Sequence, residues 1–154
     1  MAFSNAIINY SHKVSEEIVS DLFMKGIDCS QIVLGYAADR AGISDEVALK
    51  VSSAFGGGMW CGRTCGAVTG ALMALGMKYG HSEPDMTEQK EVILAKRAEF
   101  EEKFGKQYSV VCKDVLGLDL SKPDEFNQVL EQGLFFSVCT KVVCSACKIL
   151  DEMM

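Results

Sequence analysis

The chain has 154 residues, 49% of them hydrophobic and 23% charged, with a formal net charge of −6. That length buries roughly two-thirds of the unfolded surface in one domain without a disulfide staple. The negative balance argues against contact with a phosphate backbone, so nucleic acid is not an expected partner.

The first ten residues, Met1 to Tyr10, carry neither a basic leader nor a continuous apolar core, so no secretory signal is expected. The apolar stretch 66–77 is too short to span a bilayer, and no membrane insertion is expected. A cytoplasmic location follows as the expectation. In that compartment thiols are kept reduced, which turns the seven cysteines toward metal ligation or redox work.

Helical periodicity recurs from end to end and strand-like alternation is hard to find, so the expected fold is all-α, a single-domain bundle of about six to eight helices. A first helix is predicted from Ser11 to Lys25, with Ile18, Val19, Leu22 and Phe23 on its apolar face and Gly26 as its stop. Asp28 opens a second helix, which carries Ile32, Val33, Tyr36 and Ala37 and ends near Gly42. Ser44 caps a third reaching Phe55, with Asp45 and Glu46 in its first turn. A glycine-rich loop, Gly56-Gly57-Gly58, leads toward a central helix from Cys65 to Gly80. Beyond the polar linker 82–85 lies a charged, surface-facing helix from Thr87 to Phe104. A short helix within 108–117 is closed by Gly117, and Lys122-Pro123-Asp124 opens another. The remainder is divided at Gly133, with Phe136, Val143, Ala146 and Leu150 as an apolar stripe.

Two cysteines stand at predicted helix starts. Cys29 and Cys65 each face unpaired N–H groups and the positive end of a helix dipole, which favour a thiolate, so both are candidate catalytic thiols with lowered pKa. Gly56, Gly57, Gly58 and Gly66 let the backbone approach a bulky inorganic or sulfur group, which makes them candidate cofactor-binding residues. The same glycines can simply end one helix and let others pack closely, as Gly66, Ala67, Gly70 and Ala71 would. Cys144 and Cys147 spell CxxC inside an apolar helical pattern rather than at a helix start, and core packing is the favoured reading for them. Covalent haem is excluded, since Lys148 follows Cys147 where a histidine is required. His12 and His81 lie far apart in polar contexts and read as solvated.

The run Cys65-Gly66-Ala67-Val68-Thr69-Gly70, preceded by Phe55-Gly56-Gly57-Gly58-Met59, resembles the C_GCAxxG_C_C family of small redox-active proteins, defined by four cysteines and a CGAxxG motif. Gly26-Ile27-Asp28-Cys29-Ser30-Gln31 is similar to its first cysteine segment, and Cys112 and Cys139 fit its third and fourth positions. Similar domains also occur in split-Soret cytochromes, of which only the non-haem part could apply. The resemblance implies a metal-ligand set of Cys29, Cys65, Cys112 and Cys139, and leaves Cys61, Cys144 and Cys147 outside the pattern. Cys61, four residues before Cys65, could substitute for a ligand or resolve a disulfide.

Four thiolates gathered from distant segments could hold an iron–sulfur cluster for electron transfer, which is the first expectation. Zinc can use the same sulfurs. The alternatives are thiol–disulfide exchange or redox sensing without metal, and a helical module binding a small ligand. The expected partner is an electron donor or acceptor of unknown identity, and a homodimer is allowed. No hydrolase triad, phosphate loop or paired-carboxylate site can be argued.

Overall fold

Ser15 accepts a hydrogen bond at 3.2 Å from the Ile18 N–H, which starts the first helix, α1 (Glu16–Met24), with two glutamates in the opening turn. The computed structural model describes residues 14–154, so the predicted start at Ser11, and His12, lie outside the described residues. Val19 and Leu22 are buried, and Gly26 ends the segment with φ +82°. A capping box at Asp28 and Gln31 opens α2 (Cys29–Tyr36). The single helix predicted as far as Gly42 breaks at Ala37, where ψ is near 2°, and resumes as the one-turn α3 (Ala38–Ala41). Ser44 caps α4 (Asp45–Val51) by accepting from Val47 N–H, as its position foretold. This helix stops four residues short of Phe55. The Ser52 and Ser53 hydroxyls donate to the carbonyls of Ala48 and Lys50, offering the last turn an alternative to helix continuation.

A π-type turn (Gly58–Gly62) follows, then the central α5 (Gly66–Tyr79), then α6 (Thr87–Gly105). α6 is exposed along much of its length, as expected of a charged, surface-facing helix, while Phe100 and Phe104 anchor it as fully buried residues. The short α7 (Cys112–Leu116), α8 (Pro123–Gln132), a second π segment (Phe135–Cys139) and α9 (Thr140–Met153) complete the chain. Nine α-helices occur among the described residues, more than expected because α3 and α7 have four and five residues. No sheet forms there, only one antiparallel bridge between Thr64 and Val111. No single described helix is long and apolar enough to cross a membrane.

The main core is built around α5, whose Ala67, Val68, Ala71, Ala74 and Leu75 are fully buried against α2, α6 and α9. α2 and α5 approach closely because Gly70 has no Cβ. One placed there would lie 2.6 Å from the Ser30 carbonyl oxygen. Val143, Ala146 and Leu150 of the predicted stripe are in this core, whereas Phe136 is 44% exposed, since the π segment turns it outward. A second, much smaller cluster gathers Cys112, Leu116, Leu120 and Val129.

Candidate functional site

Three of the four cysteines picked out by the motif stand at the start of a helix, whereas Cys139, with helical backbone, ends a π segment that runs on into α9 (Thr140–Met153). Cys29 is the first residue of α2, Cys112 the first of α7, and Cys65 and Cys139 immediately precede α5 and α9. Two of them are tied together by the backbone. Cys65 N–H donates to Val110 O at 2.7 Å and Cys112 N–H to Arg63 O at 2.6 Å, flanking the Thr64–Val111 bridge. Gly66 seats Cys29 on the same spot, because a Cβ on Gly66 would overlap the Cys29 sulfur.

The result is one cavity of about 290 Å³, lined by Cys29, Cys65, Cys112 and Cys139. It lies where the large and small cores meet. Phe23, Trp60, Phe126, Phe135 and Phe136 form its aromatic wall, and Asp28 is the one charged side chain among its described lining. Phe126 links the wall, with ring centroids 6.4 Å from Trp60 and 6.3 Å from Phe135. These walls were missed in the sequence, although the 126, 129, 130 spacing of Phe, Val and Leu marks an amphipathic helix that had to cover something.

The glycine loop does two jobs. Of the predicted cofactor-binding glycines, Gly57 and Gly66 line the cavity, while Gly56 and Gly58 do not. Gly56 is needed because a Cβ there would come within 2.8 Å of Asp28 Cβ, and Gly58 because one would strike the Arg63 backbone and Cys112. Residues 57–60 run consecutively through the left-handed region, with φ of 58°, 62°, 59° and 56°. For Met59 and Trp60 this costs about 1–2 kcal/mol each. It folds Trp60 back over Gly57 and onto the cavity, leaving the indole 41% exposed.

Lowered thiol pKa values do not materialise. The Cys29 thiol is pushed up to about 12, chiefly by burial and then by Cys65, although backbone N–H groups of Gly57 and Ser30 pull the other way. Cys65 is pushed up to about 11 by burial, against N–H groups of Ala67 and Val68. Cys112 rises to about 12, and Cys139 rises further, again from burial first and from the neighbouring thiols second. The helix-start donors expected at Cys29 and Cys65 are therefore present, and desolvation outweighs them. Cys29 and Cys139 present surface to the cavity rather than lying sealed in packing, yet the apolar walls keep bulk water's polarity from them.

The other cysteines stand apart. Cys147 is fully buried in the main core, with Cys144 beside that core, and neither lines the cavity. Cys61 is half-buried in the π turn, its S–H donating to Gly58 O at 3.5 Å. His81 is exposed. Among the described residues no three His, Cys, Asp or Glu side chains are placed to hold one metal ion.

A family model described as "Putative redox-active protein (C_GCAxxG_C_C)" matches residues 27–153. The chain belongs to this family. The C_GCAxxG_C_C match takes in all four cavity cysteines and the Gly56–Gly58 loop. No curated protein and no solved structure matches the chain.

Proposed function

We propose that the cavity is a metal–sulfur site, in which Cys29, Cys65, Cys112 and Cys139 hold an iron–sulfur cluster and the protein transfers electrons. The observation that carries this reading is the meeting of four thiols, from segments separated by 36, 47 and 27 positions, around one apolar cavity. Membership of a family described as redox-active supports it.

The donor set fits such a group. Four cysteine thiolates are the usual ligands of iron–sulfur clusters, which supply one-electron chemistry when bound. The thiols repel one another as thiolates, which is one reason their pKa values rise, and a cationic centre would relieve that repulsion. Backbone N–H groups of Gly57, Ser30, Ala67 and Val68 already point at two of the sulfurs and would tune the potential. The aromatic wall keeps the surroundings of the sulfurs apolar. Zinc could use the same four sulfurs, and metal analysis distinguishes it from a cluster. Thiol exchange opened by Cys29 or Cys65, the two thiols expected to lead it, is disfavoured, since a buried thiol with raised pKa is a poor initiating nucleophile at neutral pH. The strongly apolar lining favours, as a second reading, a module for a small apolar ligand.

Anaerobic expression of the full chain, followed by iron and acid-labile sulfide analysis and an absorption spectrum, separates these readings. Wild type is expected to contain iron and sulfide, and Cys29→Ser, Cys65→Ser, Cys112→Ser and Cys139→Ser to lose both while keeping a helical circular dichroism spectrum. A metal-free anaerobic preparation with all four thiols alkylatable would refute the cluster and leave the ligand module standing.

A further inference from the structure

Cys61 lies outside the cavity lining, but the chain holds it beside one of the four. Its S–H meets the Gly58 carbonyl, and the missing Cβ of Gly58 leaves room that Cys112 occupies, the Cys112 Cβ lying 2.8 Å from where that atom would be. The π turn carrying Cys61 packs directly on α7, which Cys112 begins. Cys61 is also among the groups that act electrostatically on the Cys112 thiol, and it is absent from the causes acting on Cys29, Cys65 and Cys139. Cys61 presents surface to solvent while Cys112 is buried.

Met59 and Trp60 hold left-handed backbone just before Cys61, so an altered loop path recovers the cost of two unfavourable conformations. A disulfide requires Cβ atoms about 3.5–4.5 Å apart, so joining Cys61 to Cys112 calls for a local adjustment of this turn.

We propose that Cys61 and Cys112 form a peroxide-driven disulfide when the cavity holds no metal, withdrawing one of the four ligands until a reductant restores it. The consequence for loading rests on the metal–sulfur reading; the disulfide itself does not. The Cys61 thiolate attacks one oxygen of hydrogen peroxide, the O–O bond breaks, and the departing hydroxide takes up a proton as water. Cys61 is then a sulfenic acid. The sulfur of Cys112 attacks it, the S–S bond forms and a second water leaves. Two thiols have given up two electrons and two protons, and one peroxide has become two waters.

The test is peptide mapping by mass spectrometry of full-length, metal-free, reduced protein treated with one equivalent of hydrogen peroxide and then alkylated. The expected major linked pair joins the Cys61 and Cys112 peptides and is reversed by dithiothreitol. Cys61→Ser, with an unchanged helical spectrum, should leave Cys112 alkylatable. A dominant link among Cys29, Cys65 and Cys139, or no link to Cys61, overturns the proposal. A parallel arm offers ferrous iron and sulfide anaerobically to reduced and to peroxide-treated protein. Uptake by the reduced form alone supports the lock, and equal uptake by both overturns it. If neither form takes up iron, the metal–sulfur reading and the lock fall together, while the peptide map still decides the disulfide.

Discussion

Gly70 and Gly76 both lie in α5, and they show how differently the same atom can matter. A Cβ at Gly70 would press on the Ser30 backbone at 2.6 Å, and backbone cannot step aside as a flexible side chain can. A Cβ at Gly76 meets nothing within 4 Å. Gly70→Ala is therefore expected to destabilise the protein by about 1–3 kcal/mol, overpacking outweighing the gain in helix propensity. Gly76→Ala should stabilise it by about 0.4–1 kcal/mol. Urea unfolding of the two variants beside wild type checks both signs. The positions of Cys29 and Cys65 at helix starts were readable because capping and periodicity are local. Their acidity was not, because three of the five aromatic residues walling the cavity, Phe126, Phe135 and Phe136, lie far away in the chain.

At the scale of elements, the stops and caps were the most legible features. Gly26, Gly42, Gly117 and Gly133 all take positive φ at segment ends, and Ser44 accepts from Val47 as its spacing foretold. The failures have a common cause in long-range contacts. The break at Ala37, the π segment before Cys139 and the pairing of Arg63–Cys65 with Val110–Cys112 are set by what each segment packs against, and no local pattern announces them. α8 is the element whose role follows most directly from its surroundings. Only Val129 is buried in it, while Phe126 and Leu130 turn toward the cavity, with Leu130 still 53% exposed. It thus forms a thin cover. In anaerobically loaded protein, Phe126→Ala combined with Leu130→Ala is expected to speed iron loss to a chelator several-fold, followed by absorbance. An unchanged rate would show that α8 does not shield the site.

Across the whole molecule, the thiols give the empty protein a characteristic response to alkali. Cys29, Cys65 and Cys112 have folded-state values of about 11 to 12 against an ordinary 9.0. The unfolded chain releases these protons first as pH rises, so the unfolded state gains. Stability from this source is complete below about pH 9 and declines as pH climbs toward 12. Denaturation midpoints of metal-free protein measured across that range should fall, and fall less in Cys29→Ser. Metal-loaded protein, whose sulfurs are already deprotonated, should lack this decline and instead shed metal on acidification.

The small cluster of Cys112, Leu116, Leu120 and Val129 has four buried residues, too few to hold a shape of its own. It is joined to the rest by one short stretch of backbone pairing, by contacts of Leu120 and Phe126 with the Gly57–Trp60 loop, and by the π segment that runs on into α9. An occupant of the cavity would act as mortar between unequal stones. Vacant copies would then expose residues 112–139 to proteolytic nicking while occupied ones persist, so cellular turnover would itself sort working molecules from idle ones.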